Sequence, residues 1–261
     1  MKIQKTTTSP PQLTGILVPM PEEIEIILAR MRVDEVYKAG KRIFYIGAIH
    51  DNACVVSLSR IGKVASAVTA AVMIERFKVD RIIVTGVAGG IAEELNIGDI
   101  VVAESCIQHD MDCRPLFPQF EAPLLEKGRF ECDEALIASA VEACSHFIAH
   151  ELSDHVSKVH LQELDIHTPE VRRGTLVSGD QFIGNTTQLT KIRTEIPDAY
   201  FVEMEGAAVA QVCFEYSVPF VVVRSISDKA DAIAHVDFSN YIKNIARHYT
   251  WALIEGMMKK I

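Results

Sequence analysis

"AYFVEMEGAAVAQVCFEYSVPFVVVRSIS", Ala199 to Ser227, carries the pattern that decides the fold. "AYFVE" (199–203) reads as a strand, residues 205–216 repeat small and apolar positions at helical period, and "PFVVVRSIS" (219–227) reads as a second strand. The second strand is apolar on successive residues rather than alternate ones, as expected of a strand covered on both faces. Strand, helix and strand in this order belong to an α/β sheet with mostly parallel neighbours. Glu203 and Glu205 stand where the first strand ends, and Arg224, Ser227 and Asp228 stand at or beyond the end of the second. Carboxylates are costly to bury without partners. They are therefore either acids in a helix's first turn, favoured by its dipole, or groups that grip something polar.

The same alternation extends through the chain. Further strands are expected at 14–19, 42–49, 53–59, 81–86, 99–105 and 173–180. Helical periodicity covers roughly 21–36, 63–77, 133–149, 187–195 and 238–258. "HDNA" (50–53) reads as a hairpin turn. The fold class is therefore α/β: a central, mixed, mostly parallel sheet flanked by helices. No linker, repeat or low-complexity tract divides the 261 residues, so a single domain is expected over 14–261, with residues 1–13 as a disordered or loosely held arm.

Composition narrows the class of function. A formal charge of −9 opposes a nucleic-acid partner, which would call for a basic face. No apolar stretch reaches membrane-spanning length, and the N-terminus lacks the apolar core of a secretory signal. Six scattered cysteines without a C-x-x-C pair suit a reducing cytoplasm better than a disulfide framework or a zinc site. His146, His150, His155, His160 and His167 are not spaced as a metal-ligand set. No metal is expected.

In α/β sheets ligands bind beyond the carboxyl ends of the strands. Polar and glycine residues gather at five such ends: Met20–Glu23, Gly86–Gly90, Gly179–Gly184, Glu203–Gly206 and Arg224–Asp231. "PMPEEIEIIL" (19–28) places Glu22 and Glu23 behind Pro21 in a helix's first turn, and either helix-start chemistry or a general base explains them. "VTGVAGG" (84–90) has neither dinucleotide nor P-loop spacing, so no cofactor is called for. It reads as a strand running into a glycine-rich turn, open to close approach by a ligand. Phe182, in "VSGDQFIG" (177–184), is either ordinary core or a stacking surface for a flat base. Arg224 and Asp228 are either a surface ion pair or a strand-end acid with its neighbour.

Taken in order, "MPEE", "SRIGKVASA", "TGVAGGI…IGDIVVAE", "HDMD", "VSGDQFI", "VEMEGAAVAQVC" and "PFVVVRSISDKAD" resemble the 5′-methylthioadenosine/S-adenosylhomocysteine nucleosidases of the purine nucleoside phosphorylase superfamily. The resemblance runs from Gly15 to the C-terminus, apart from a divergent stretch at about 117–170. It implies a nucleoside phosphorylase-like fold and hydrolysis of the N-glycosidic bond between adenine and a 5′-thioribose. It further implies that Glu23 activates water, helped by Arg224, and that Asp228 protonates adenine N7. Glu205 would accept the ribose hydroxyls, held ionised by the helix it begins, with Met204 against the sugar. Phe182 and Ile183 would hold the base, with Met20, Ala88, Gly89 and Ser227 lining the site. Phe238 would close an apolar 5′ pocket that a partner subunit completes near Cys113–Phe117, which implies a homodimer acting on a small nucleoside in the cytoplasm. Glu203 is either a supporting partner, of Arg224 for example, or only a strand-end acid.

Val87, where many members carry serine, Pro19 and Pro21 in "VPMPEE", and "CRPLFPQF" (113–120) depart from the family pattern. Val87 removes a hydroxyl near the ribose, the prolines bear on the shape of the Glu23 loop, and the 113–120 stretch bears on the preferred 5′-substituent. Futalosine or aminofutalosine hydrolysis, phosphorolysis and non-catalytic nucleoside binding are the competing readings. Phosphorolysis would want clustered cations at the glycine-rich segment, and none stand there.

Overall fold

The computed structural model describes residues 12–230 and 234–260. Its strands are β1 (Thr14–Val18), β2 (Arg32–Ala39), β3 (Arg42–Ile49), β4 (Asn52–Leu58), β5 (Arg81–Gly90), β6 (Ile100–Gln108), β7 (Arg129–Glu131), β8 (Val171–Ser178), β9 (Ala199–Glu203) and β10 (Phe220–Asp228). The helices are α1 (Pro21–Leu28), α2 (Lys63–Val72), α3 (Glu134–His146), α4 (Leu152–His155), α5 (Lys158–Glu163), α6 (Thr186–Glu195), α7 (Gly206–Tyr216), α8 (Ala234–Tyr241) and α9 (Arg247–Met258). Wider π-type turns extend α2 and α3 and join α8 to α9.

The strands that are apolar throughout lie at the centre. Every residue of β1 and of β10 is buried, as both-face cover requires. Parallel ladders join β4, β1, β5 and β10, and separately β6, β8 and β9. Antiparallel pairs join β10 to β6, β9 to β5 and β7 to β6, and the hairpins β2–β3 and β3–β4 extend the other side. Because β5 pairs with both β10 and β9, the sheet curls until β5, β10, β6, β8 and β9 close a ring. The result is a mixed α/β sheet with α1 and α3 packed on α9, and α2 packed on α7. Among the described residues no helix is long and apolar enough to cross a membrane, and all six cysteines are free.

Two expectations change. The helical pattern over 21–36 stops at Leu28, and Arg32–Ala39 forms the exposed edge strand β2 instead. Val33 and Val36, three residues apart, suit either structure on paper. The hairpin to β3, turned at Gly40 with φ +58°, decides for the strand. The glycine-rich "VAGG" is not a turn after β5 but its last four residues, paired to β10 and β9. At the N-terminus, residues 1–11 of the expected arm lie outside the described residues. Leu13 is held, its N–H donating to the Asp80 carboxylate at 2.6 Å and its carbonyl accepting from Asp80 N at 2.8 Å. The "HDNA" turn is a two-residue hairpin with His50 and Asp51 both at positive φ, the geometry that matches strand twist.

α7 starts against the sheet at a point where only glycine fits. A Cβ on Gly206 would lie 2.5 Å from Leu176 Cδ2 and 3.2 Å from Val222 Cγ1, both side chains fully buried. Gly206→Ala is expected to lower stability by about 1–3 kcal/mol through overpacking. A reduced urea midpoint with an unchanged m-value checks it.

Candidate active site

The carboxyl ends of β1, β5, β8, β9 and β10 converge on one cavity of about 260 Å³. Each of the five strand-end segments singled out in the sequence contributes to its wall, Asp231 alone lying outside the described residues. Met20, Ala88, Gly89, Phe182, Ile183, Met204, Glu205, Ser227, Asp228 and Phe238 all line it. Glu23 and Arg224 do not line it; both are fully buried behind the wall.

Pro21 opens α1, and two residues later Glu23 turns inward. Its carboxylate accepts from Met20 N–H at 3.2 Å and from the Thr250 hydroxyl of α9 at 3.2 Å. Glu23 therefore serves the start of its own helix and is also a buried carboxyl behind Met20. Burial pushes its pKa up to about 7, against the opposing charge of Arg224 and the two hydrogen bonds.

At the end of β10 the ladder to β5 slips between Ile226 and Asp228, so Ser227 is an extra, bulged residue. The bulge places Asp228 beside Gly89, where a Cβ would lie 2.9 Å from Asp228 Oδ1. Asp228 is buried, accepting from the Ser227 hydroxyl at 2.8 Å and from Ala230 N–H at 2.9 Å. Ser227 also donates to the Ala88 carbonyl at 3.3 Å. Opposite, Phe182 is 45% exposed and meets Phe238 edge to face at 5.7 Å. This leaves an aromatic surface open to a ligand.

The two glutamates of "VEMEG" divide their work differently from expectation. The helix start holds Glu203, not Glu205: the Glu203 carboxylate accepts from Glu205 N–H and Gly206 N–H at 3.0–3.2 Å. It also accepts from the Ser178 hydroxyl and from Arg224 Nη2. Glu205 has no such cap; its oxygens accept from Gly62 N–H at 2.9 Å and from Arg224 Nη2 at 3.3 Å. Burial and the neighbouring Glu203 carboxylate raise the Glu205 pKa, overriding Arg224 and Gly62. Arg224 likewise departs from the expectation that it holds Glu23. Its Nη1 donates to the Thr85 carbonyl at 2.9 Å, its Nη2 serves Glu203 and Glu205, and it reaches Glu23 only through charge.

The wall also includes Pro19, Ile61 and Val202, which the strand-end reading did not select. Ile61 sits inside "SRIGKVASA", so the motif was visible though the residue was not singled out. Among the described residues, the wall carries no Arg or Lys, and no cluster of His, Cys, Asp and Glu could hold a metal ion.

Residues 14–253 match the family described as the Phosphorylase superfamily. A 5′-methylthioadenosine/S-adenosylhomocysteine nucleosidase from Neisseria meningitidis, solved with methylthio-immucillin-A, is similar at a TM-score of 0.84 and 30% identity, over 96% of this chain and 100% of that one. The corresponding nucleosidase of Helicobacter pylori gives 0.80 and 32% over 97% and 100%. The futalosine hydrolase of Helicobacter pylori gives 0.80 and 33% over 96% and 99%. The chain belongs to the phosphorylase superfamily, in the family of the 5′-methylthioadenosine/S-adenosylhomocysteine nucleosidases.

A nucleosidase-family enzyme that buries Glu23 carries a pH-dependent cost. From its ordinary 4.5 to about 7, the folded state keeps a proton that the unfolded chain has lost. The contribution of Glu23 to stability is therefore most favourable below about 4.5 and is lost as pH rises through about 7, by about 3 kcal/mol in all. Glu23→Gln removes the ionisation. The variant should gain about 3 kcal/mol relative to the parent between pH 4 and pH 8, measured by urea unfolding at both pH values.

Proposed function

We propose that the protein hydrolyses the N-glycosidic bond of 5′-thio-substituted adenosines, methylthioadenosine and S-adenosylhomocysteine, releasing adenine and the thioribose. The observation that carries this reading is a buried carboxyl with its pKa near 7, Glu23, behind a wall that bears Asp228 and lacks cations among its described residues. A general base works best when its pKa lies near the working pH. A phosphate co-substrate would want Arg or Lys donors, and Arg224 already serves two carboxylates.

In the proposed reaction Glu23 takes a proton from water as the water oxygen bonds to C1′. The C1′–N9 bond breaks, its electron pair leaves with adenine, and Asp228 delivers a proton to N7. The sugar passes through an oxocarbenium-like state, as in other glycoside cleavage. Glu205 accepts the ribose hydroxyls with Met204 against the sugar, Phe182 and Ile183 hold the base, and Phe238 closes the 5′ end. Arg224 acts by fixing Glu203 and Glu205.

The apolar ridge of Ile61, Val64 and Val68, 53%, 75% and 44% exposed, with Ile61 in the pocket wall, suits a homodimer contact beside the pocket. Six free thiols suit a reducing, cytoplasmic setting. A second reading, futalosine or aminofutalosine hydrolysis, is supported by the likeness to the Helicobacter pylori futalosine hydrolase.

The test is release of free base from methylthioadenosine, S-adenosylhomocysteine, aminofutalosine, futalosine and inosine, with and without phosphate. Adenine release from the two thio-nucleosides without phosphate is expected. Strict phosphate dependence overturns hydrolysis, and a strong preference for either futalosine overturns the substrate. Asp228→Asn should reduce turnover by roughly 10²–10⁴-fold while retaining inhibitor binding by calorimetry.

A further inference from the structure

A hydroxyl on a helix ordinarily donates back to the carbonyl one turn earlier. Thr69, Thr194 and Ser239 do so, reaching Ala65 O, Thr190 O and His235 O at 2.8–2.9 Å. Thr250, in the first turn of α9, is different. Its hydroxyl crosses to Glu23 Oε1 on α1 at 3.2 Å, between residues 227 positions apart. The other Glu23 oxygen accepts a backbone N–H, from Met20. Thr250 is therefore the side chain that holds this carboxyl from outside its own helix start.

Behind Thr250 lies a small cavity lined by Thr85, Ser225 and Tyr249 as well as Thr250 itself. About 10 Å³ is open there to the centre of a water-sized body, enough for one water among polar neighbours. The Tyr249 hydroxyl is buried and meets no hydrogen-bond partner among the described residues.

We propose that Thr250 is the positioning residue of Glu23, its hydroxyl orienting the carboxylate from the facing helix. This rests on the reading of Glu23 as the water-activating base. The other groups acting on Glu23 are Arg224 from β10 and Glu22 on its own helix, and Tyr241 of α8 is itself affected by Glu23. The elements packed against α1 also carry Cys54 of β4, Lys243 in the turn joining α8 to α9, and Arg247, His248, Tyr249 and Glu255 of α9. Removing the Thr250 hydroxyl leaves the opposing effects in place, so the proton should be held to higher pH.

The experiment compares Thr250→Val, which keeps the shape and loses the hydroxyl, with Thr250→Ser, which keeps the hydroxyl. The Glu23 carboxyl is followed by ¹³C NMR, its resonance identified by its absence in Glu23→Gln. That readout needs no substrate. In the wild type it should titrate at about 7. Thr250→Val should move the midpoint up by about one unit, and Thr250→Ser should leave it in place. The acid limb of kcat/KM for methylthioadenosine should move by the same amount in Thr250→Val, with the rate at alkaline pH largely kept.

Equal Glu23 midpoints in the wild type and a folded Thr250→Val variant would overturn the role of Thr250 and leave the base assignment standing. Full activity with an unchanged acid limb in Glu23→Gln would overturn the base assignment, even with the NMR shift present. A displaced midpoint with a matching displaced acid limb, rescued by serine, supports both.

Discussion

A guanidinium taken wholly out of water has to find its charge and its hydrogen bonds within reach, because breaking such a pairing costs several kcal/mol. Arg224, fully buried on a central strand, meets that demand through its two Nη atoms by drawing four segments together, while its Nε meets no hydrogen-bond partner among the described residues. Its fork reaches the Thr85 carbonyl of β5, Glu203 at the end of β9 and Glu205 at the start of α7. Through Glu205 the tie extends to Gly62 at the start of α2. The same guanidinium explains Gly86, where a Cβ would lie 2.0 Å from Arg224 Nη1. The pocket is thus the far side of a buried charge cluster, and its shape depends on the cluster remaining paired.

That cluster is unbalanced. One guanidinium faces two carboxylates, and a third, Glu23, feels its charge without touching it. Glu203 has the better share, with two helix-start amides and the Ser178 hydroxyl besides Arg224. Glu205 has one amide and a longer bond to Arg224, which do not offset the burial and the neighbouring Glu203 carboxylate that raise its pKa. A ligand offering hydroxyl donors to Glu205 would supply what the protein withholds. A site that binds polyols through such a carboxylate is therefore set by where its neighbours spend their donors, not by the carboxylate alone.

Much of this was legible in residue order. "GILV", "RIIV" and "FVVVR" announce central strands because both-face burial leaves no room for alternation. The polar ends of those strands announce the cavity because parallel ladders bring their carboxyl ends to one rim. β2 was not legible, since an exposed edge strand keeps its polar residues and Val33 and Val36 fit a helix as well. Nor was the exchange of roles between Glu203 and Glu205. Which of two acids caps a helix depends on the turn between them, and a dipole argument treats them alike. Arg224's partners were only half visible for a related reason: opposite charges nearby in space need not be the ones that hydrogen-bond.

Thr250 marks the limit of reading along the chain. It sits within an apolar helix, bears no charge and belongs to no motif, and its partner lies at the other end of the sequence. Yet closure of the fold brings α9 onto α1, and the contact exists because the last helix packs where the first begins. The cost of burying Glu23, about 3 kcal/mol when ionised, is of the order contributed by one or two buried aliphatic side chains. Ile24 and Ile27 on α1 and Leu253, Ile254 and Met257 on α9 are buried around it. The packing that joins the two helices is thus large enough to hold a poorly solvated carboxyl in place, and the same packing fixes the Thr250 hydroxyl against it.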